Sequence, residues 1–416
     1  DLLFGALDGP RARFSAAAPL ATPSRNWLAA PEVRALAPPS LTVREVLAPG
    51  DLDGDGLADA VLLDATTLRA VHGRRAGAAF VTDPSRAIVA ETPTVPRAWE
   101  AGDVNRDGFR DLFVTVDART FEVDYGGPGV FPARTQRVSV TAAGCADTTT
   151  PVALAGVGDV TGDGFADALV ASCGTAEALL FRGGASGLES TPQSVVSELT
   201  PEPGARALVL AFGDLTGDGV AEYGAVRVLR AGTTANYRLA MYLGGPSSWT
   251  TIVRTRDLGG RSTWRAAPLG DLDADGFGDA VLRDAQGVQS IVLVRGAATP
   301  SAMDLQLRGP NDARIVAGGD IDGDGVADAI VQGVGGYEVS AGVRGGSPSS
   351  LLQPGGAPTR VDVQIGSTGP RLAVGPDLDG DGVDDLIFAT DTLGTYVHSL
   401  PRPRTGYAPW PAVPLR

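Results

Sequence analysis

Short apolar runs alternate with acidic, glycine-rich turns along most of this 416-residue chain. The runs Asp59–Leu63, Asp111–Val116 and Asp385–Phe388 are partly β-branched, and turn-forming residues lie near their ends. Segments of this length and composition are typical of β-strands. The content of 56 glycines and 30 prolines also favours many short strands joined by turns over helices. The pattern therefore predicts an all-β protein.

The apolar runs belong to a repeat that occurs seven times. Its centre is a nine-residue segment with acidic residues at positions 1, 5 and 9, glycine at position 6 and apolar residues at positions 2 and 7. We number these segments loops 1 to 7; they span residues 51–59, 103–111, 159–167, 214–222, 271–279, 320–328 and 377–385. Each loop is followed by an apolar strand, a second strand that ends at a glycine turn in most repeats, a third and more polar stretch, and a fourth apolar strand that leads into the next loop. Four strands in roughly 50 residues, repeated in this way, indicate a β-propeller.

We predict a single domain over residues 1–416, a seven-bladed β-propeller with four antiparallel strands in each blade. Each loop is expected to join the first and second strands of its blade. The N-terminal strand 1–15 is expected to complete the last blade, because closure removes exposed sheet edges. The approximate blades are 41–92, 95–143, 150–200, 205–258, 263–309, 312–365 and 370–416.

The loops place oxygen donors at alternate positions, as calcium requires. Side chains at positions 1, 3, 5 and 9 and the carbonyl group at position 7 can supply the oxygens, and glycine at position 6 suits a turn that needs a positive φ. An EF-hand is excluded because position 12 is apolar, or Ala225 in repeat 4, and not glutamate. We predict up to seven Ca²⁺ ions, bound by Asp51, Asp53, Asp55, Leu57, Asp59, Asp103, Asn105, Asp107, Phe109, Asp111, Asp159, Thr161, Asp163, Phe165, Asp167, Asp214, Thr216, Asp218, Val220, Glu222, Asp271, Asp273, Asp275, Phe277, Asp279, Asp320, Asp322, Asp324, Val326, Asp328, Asp377, Asp379, Asp381, Val383 and Asp385.

A solvated turn is the simpler interpretation of one acidic loop, but seven copies in phase favour metal binding. The loops hold 25 of the 49 acidic residues at ligand positions, and seven Ca²⁺ ions would bring the formal charge from −15 to −1. Loops 2, 3 and 4 carry Asn105, Thr161 and Thr216 at position 3, and loop 4 carries Glu222 at position 9. With fewer carboxylates, these three loops are expected to bind calcium more weakly.

Charge and composition exclude several classes of function. All 34 basic residues are arginine, which rules out Schiff-base lysine chemistry and a phosphate-binding loop that ends in Gly-Lys. An acidic chain is poorly suited to nucleic acid, and no apolar run is long enough to predict a membrane span. Cys145 and Cys173 are predicted to form a disulfide within one blade, with two free thiols as the alternative. A monomer in an oxidising compartment is expected.

The loop pattern Asp-x-Asp-Gly-Asp-Gly-apolar-x-Asp, followed by a strand and a Gly-Gly turn as in Met241–Pro246, resembles the FG-GAP repeat. That repeat builds the propellers of integrin α-subunits and their bacterial relatives, and the resemblance covers all seven repeats of this chain. It implies a secreted, periplasmic or cell-surface protein that binds calcium and recognises an adhesion ligand. A fungal lectin with the same repeats makes carbohydrate binding an alternative. All seven loops are complete here and the integrin Gly-Ala-Pro element is degenerate, which favours a bacterial-type relative.

A protein or glycan ligand is expected on the face opposite the calcium loops. An arginine precedes the loop by six to eight residues in six repeats, and Trp99 and Trp264 lie close to two of these arginines. The arginines would form an anion-attracting mouth, with inter-blade salt bridges as the alternative. This set comprises Arg44, Arg97, Arg206, Arg265, Arg314 and Arg371.

Catalysis has little support in the sequence. His72 and His398 occupy matching strand-end positions in repeats 1 and 7, which indicates a feature of the repeat and not a catalytic pair. No Gly-x-Ser-x-Gly nucleophile elbow is present. We therefore predict a binding protein and not an enzyme, with a structural propeller that has no ligand as the remaining alternative.

Overall fold

The structure, a computed structural model, is all-β. It describes residues 7–8, 11–12, 33–37, 43–75, 78–88, 97–117, 119–140, 153–171, 178–195, 207–231, 234–247, 250–259, 264–284, 291–308, 314–321, 323–333, 336–340, 342, 344–345, 360–363, 371–390 and 394–398. These ranges contain strands and turns but no helix, so none of their segments is an apolar helix of membrane-spanning length.

Seven sheets follow one another along the chain, after three N-terminal strands. Those three are β1 (Leu7–Asp8), β2 (Arg11–Ala12) and β3 (Val33–Ala37). Sheet 1 contains β4 (Glu45–Gly50), β5 (Asp59–Leu63), β6 (Thr67–His72), β7 (Val81–Thr82) and β8 (Arg86–Ala87). Sheet 2 contains β9 (Ala98–Gly102), β10 (Asp111–Thr115), β11 (Thr120–Tyr125) and β12 (Arg134–Ser139). Sheet 3 contains β13 (Ala153–Gly158), β14 (Asp167–Ala171), β15 (Ala178–Phe181) and β16 (Gln193–Val195).

The remaining sheets have the same organisation. Sheet 4 contains β17 (Ala207–Gly213), β18 (Glu222–Ala231), β19 (Thr234–Tyr242) and β20 (Ile252–Gly259). Sheet 5 contains β21 (Trp264–Gly270), β22 (Asp279–Asp284), β23 (Ile291–Arg295) and β24 (Asp304–Arg308). Sheet 6 contains β25 (Arg314–Gly319), β26 (Asp328–Gly333), β27 (Gly336–Ser340) and β28 (Arg360–Val363). Sheet 7 contains β29 (Arg371–Gly375), β30 (Asp385–Thr390) and β31 (Gly394–His398), together with β3.

In sheets 2 to 6 the strand order follows chain order, whereas in sheet 1 both β7 and β8 pair with β6, and in sheet 7 β3 follows β31; every pairing is antiparallel. In sheets 1 to 7 the aspartate loop connects the first strand to the second, and the second strand begins at position 9 of the loop. The outer strand of sheet 7 is β3, which pairs with β31 in the register Val33↔His398. We expected segment 1–15 in this role, but β1 and β2 pair with each other. The short connection from β3 to β4 explains this difference, because it leaves β3 beside sheet 1 and within reach of sheet 7.

The sheets pack face to face through apolar side chains. The first strand of each sheet contacts the first strand of the next, from β4 through β9, β13, β17, β21 and β25 to β29, and β29 contacts β4. Buried clusters fill the interfaces between neighbouring sheets, such as Phe113, Phe121 and Phe181 between sheets 2 and 3. The core is therefore a series of inter-sheet layers, and the aspartate loops lie together at one end of these layers.

Candidate metal centres

Three side-chain hydrogen bonds to the backbone recur in all seven loops. The position 1 carboxylate accepts from the N–H of the position 6 glycine at 2.7–3.0 Å. The position 5 carboxylate accepts from the N–H of position 7 at 2.8–3.1 Å. The position 9 carboxylate accepts from the N–H of position 2 at 2.6–3.1 Å. Acidic residues thus shape the loop as well as offer oxygens to a cation.

Glycine at position 6 is required by the backbone conformation. All seven of these glycines have a positive φ, for example +85° at Gly56 and +94° at Gly108, and an added Cβ atom at either would meet no atom within 4 Å. Position 4 also lies in the left-handed region, and there Arg106 and Ala274 have a φ of 56°. Residues with a Cβ atom are disfavoured in this region, so loops 2 and 5 contain local strain.

The position 9 carboxylates are more buried than a simple metal ligand would be. All seven are at most 2% exposed. In loops 1, 2, 3, 5 and 6 the second oxygen accepts from a glycine N–H of the turn after the third strand, at 2.8–3.2 Å. Burial raises the pKa of Asp111, Asp167, Glu222 and Asp279 to about 7, against the opposing effect of these hydrogen bonds. The sequence predicted position 9 as a metal ligand, but sequence reasoning missed this structural role.

Backbone hydrogen bonds connect each loop to its neighbour. The position 8 N–H of one loop donates to the position 1 carbonyl group of the preceding loop at 2.9–3.2 Å, as from Arg110 to Asp51 and from Ala166 to Asp103. The same bond occurs at every step along the chain. It also joins the two ends of the series, because Ala58 of loop 1 donates to Asp377 of loop 7 at 3.0 Å. The candidate metal centres therefore lie beside every junction between sheets.

Carboxylates converge closely enough to hold a cation in loops 1, 5 and 7. One oxygen from each member lies within 4.8 Å of the others in the groups Asp51–Asp53–Asp55, Asp271–Asp273–Asp279 and Asp377–Asp379–Asp385. In loop 5, Asp273 is 2% exposed, and its Oδ1 atom is buried and accepts no hydrogen bond from a described residue. A buried acceptor in this state is costly. The donor set of loop 5 therefore fits a hard divalent cation that takes oxygen ligands.

Arginine side chains from the glycine turns pair with loop carboxylates in three of the loops, a feature that sequence reasoning missed. Arg74 pairs with Asp55 at 2.7 Å and Arg182 with Asp163 at 2.5 Å. Arg295 pairs with Asp273 and lies 3.6 Å from Asp275. An arginine next to the turn glycine, before it at Arg182 and Arg295 and after it at Arg74, was the available signal. These arginines partly neutralise the carboxylates, so they compete with a cation for the same oxygens.

His72 is a further side chain near loop carboxylates, and it lies beside loop 1. Its Nδ1 atom is 3.1 Å from Asp53 Oδ2 and 3.4 Å from Asp59 Oδ1, and its Nε2 atom is 3.0 Å from Asp83 Oδ2. Interaction with the Asp59 carboxylate, supported by Asp83, raises the pKa of His72 to about 9 although burial acts in the opposite direction. His398 does not occupy the matching position that we expected. It pairs with Leu386, whereas the partner of the equivalent Ala60 is Val71.

The loops with fewer carboxylates differ at position 3. The Asn105 side chain donates to Asp107 at 2.8 Å, and the Thr216 hydroxyl group donates to Glu222 at 3.2 Å. The Thr161 hydroxyl group is buried and makes no hydrogen bond with a described residue. Of these three position 3 side chains, Thr161 is the one whose oxygen has no hydrogen-bond partner among the described residues.

The arginines of the expected mouth precede or begin the first strands, at the strand end far from the loops. Arg44 and Arg97 are exposed and make no ion pair with another described residue. Arg265, Arg314 and Arg371 lie at or near the first positions of β21, β25 and β29. The two tryptophans differ from the expected stacking surface. Trp264 is 3% exposed within an apolar cluster and Trp99 is partly buried, because alternation along their strands turns both towards the core.

Four predicted site residues lie outside the described residues, namely Asp322, Arg206, Cys145 and Cys173.

Comparison with known proteins agrees with the repeat and the fold. The FG-GAP-like repeat family matches residues 51–114 and 159–225, which contain loops 1 to 4. The predicted resemblance to FG-GAP repeats is thereby confirmed. No curated protein matches the chain.

The similar solved structures include β-propellers. Two structures of BBS1N in complex with ARL6DN, one soaked with mercury and one with lead, match at 12% and 13% identity. They cover 89% and 91% of this chain and 99% of their own, with TM-scores of 0.53 and 0.51. The β-propeller domain of Vanderwaltozyma polyspora Nup133 matches at 8% identity over 84% of this chain and 92% of its own, with a TM-score of 0.46. The chain is thus an all-β propeller module that contains FG-GAP-like repeats.

Proposed function

We propose that this chain is a calcium-stabilised, seven-bladed β-propeller that recognises a ligand outside the cytoplasm and is not an enzyme. The seven sheets would be its blades. The circular series of contacts between first strands supports a closed ring, as does the matching series of hydrogen bonds between loops. Closure of this kind leaves no inner sheet edge exposed.

One observation carries the calcium proposal: the buried Asp273 Oδ1 atom beside Asp271 and Asp279. Asp273 Oδ1 has no hydrogen-bond donor among the described residues, and a Ca²⁺ ion would supply the missing positive partner. Asp271, Asp273, Asp275 and Asp279 would hold the ion together with the Phe277 carbonyl group. The other loops repeat this frame, so we propose up to seven such ions.

Equilibrium dialysis of the chelator-treated chain against calcium, followed by elemental analysis, tests this proposal. We expect several equivalents of calcium per chain, and weaker binding of one of them in an Asp273→Asn variant, which gives loop 5 the position 3 residue of loop 2. Asp257→Asn is the matched control, because Asp257 is an exposed carboxylate on β20 that pairs with Arg238 outside the loops. A chain that retains no calcium would refute the proposal.

We propose the arginine-bearing face, far from the loops, as the recognition surface. Arg44 and Arg97 are exposed and form no ion pair within the described part of the chain, which favours a role towards an external anion over an inter-blade salt bridge. The similar BBS1N structures were obtained in complex with ARL6DN, which is consistent with a protein partner for this fold. Binding of acidic peptides and of carboxylated glycans, each with and without chelator, distinguishes protein from carbohydrate recognition.

A further inference from the structure

Loop 1 has a histidine at the position where loops 2 to 5 have residues that cannot act as a neutral nitrogen ligand. The strand registers place His72 opposite position 9, one residue before the glycine of the turn. The residues at the same register position in sheets 2 to 5 are Tyr125, Arg182, Leu243 and Arg295. Loop 1 is therefore chemically distinct within a repeated frame.

The imidazole ring of His72 is buried and directed at the loop. The residue is 3% exposed, and its Nδ1 atom makes no hydrogen bond with a described residue. Nδ1 lies 3.1 Å from Asp53 Oδ2 and 3.4 Å from Asp59 Oδ1. Asp53, Asp59 and His72 each offer one donor atom within 4.8 Å of the others. Three donors of two chemical kinds thus converge on one small space.

A further carboxylate supports the opposite edge of the ring. Nε2 of His72 is 3.0 Å from Asp83 Oδ2, and the same oxygen accepts from the N–H of Phe131 in sheet 2 at 2.8 Å. The backbone N–H of Asp83 donates to the Ala70 carbonyl group, so both ends of Asp83 are fixed. A carboxylate in this position orients the ring and directs the other nitrogen at Asp53 and Asp59, where it can bind a metal in place of its proton, as in carboxylate–histidine–metal arrangements.

We propose that loop 1 is a mixed nitrogen–oxygen site for a zinc-class divalent cation, with Asp53, Asp59 and His72 as ligands and Asp83 as the positioning residue for His72. Imidazole nitrogen suits zinc and neighbouring transition metals, whereas calcium takes oxygen. Bonds of about 2.0–2.2 Å in a tetrahedral site require donors roughly 3.3–3.6 Å apart, close to the 3.1 and 3.4 Å that separate Nδ1 from the Asp53 and Asp59 oxygens. This inference rests on the proposed role of the aspartate loops as cation sites.

Metal competition on the full chain tests the inference. The chelator-treated protein is dialysed against millimolar calcium with a small excess of Zn²⁺ over protein, and both metals are then counted. We expect about one equivalent of zinc per chain in the wild-type protein and its loss in His72→Gln. His398→Gln removes the other histidine of the chain and should keep the zinc. Asp83→Asn should lower the zinc affinity by about 10- to 100-fold while the calcium count is unchanged.

X-ray absorption at the zinc edge keeps the inference testable if His72→Gln fails to fold. Imidazole back-scattering in the wild-type and His398→Gln proteins is expected, and a shell of oxygen alone would overturn the inference. The inference would also be overturned if the wild-type chain retained no zinc, or if the His72→Gln variant retained zinc. Either result would mean that His72 serves only as a cation that pairs with Asp53, Asp59 and Asp83. The calcium count of the same samples reports separately on the proposed function.

Discussion

Two carboxylates of loop 2 give the sharpest prediction, because one is expected to stabilise the folded loop and the other to bind the metal ion. Asp111 at position 9 is 0% exposed and accepts from the N–H groups of Val104 at 2.8 Å and Gly126 at 2.9 Å. Asp107 at position 5 is exposed and accepts from the N–H of Phe109 at 3.1 Å. Asp111→Ala leaves two buried N–H groups without a hydrogen-bond acceptor, whereas in Asp107→Ala water can accept from the exposed N–H group in place of the carboxylate.

The expected losses differ in size and in their dependence on calcium. At about pH 6, below its raised pKa of about 7, Asp111 is mostly protonated in the ion-free chain, so Asp111→Ala removes hydrogen bonds and not a charge. Two buried N–H groups without partners cost about 1–3 kcal/mol each, which gives roughly 2–6 kcal/mol in total. Asp107→Ala should change the free energy of unfolding by less than about 0.5 kcal/mol in chelator. It should lose about 3 kcal/mol in calcium at 100 times the dissociation constant.

Urea unfolding, followed by the fluorescence of the five tryptophans, measures both variants in chelator and in calcium. We expect Asp111→Ala to be destabilised in both conditions and Asp107→Ala only in calcium. If Asp111→Ala matched the wild-type protein in chelator, position 9 would not be part of the frame. If Asp107→Ala kept the full calcium effect, position 5 would not be a ligand.

Three further predictions concern the loops and the opposite face. Ala274→Gly should raise stability by about 0.5–1 kcal/mol, since it relieves the positive φ of 56° in loop 5, and a lower melting temperature would contradict this reasoning. The position 9 carboxyls have a pKa raised to about 7, so the ion-free chain should lose stability as the pH rises from about 4 to 7. Calcium binds the ionised form of these carboxyls, so the rise in melting temperature that calcium causes should be larger at about pH 8 than at about pH 5. Equal rises at the two pH values would contradict this reasoning. The double variant Arg44→Ala, Arg97→Ala should bind an acidic ligand more weakly than the wild-type protein. The control variant Arg75→Ala, which changes an exposed arginine in the turn after β6, should bind as the wild-type protein does. Equal affinities of the wild-type protein and both variants would refute the proposed recognition surface.

The loop pattern predicted the repeating parts of this fold because they depend on local chemistry. Glycine at position 6 has the positive φ that its place in the turn indicated, and a strand begins at position 9 in every repeat. The outer strand of sheet 7 could not be read in this way, because the pairing of Val33 with His398 joins distant segments. The partners of His72 were missed for the same reason, since Asp83 lies on another turn and is fixed by Phe131 of the next sheet. Trp264 was misplaced because alternation gives two faces to a strand, and the sequence near Arg265 did not show which face is buried.

The pairing of β3 with β31 sets the order of events when this chain is synthesised. Its two strands are separated by about 360 residues, so the length-dependent entropy of bringing them together is roughly 5 kcal/mol. Six sheets can form as each emerges from the ribosome, but the seventh needs β3, which is made before all of them, and β31, which is made after them. Assembly is therefore completed late, and the junction between the last sheet and the first is where a nascent molecule stays open longest to proteases and to neighbouring chains.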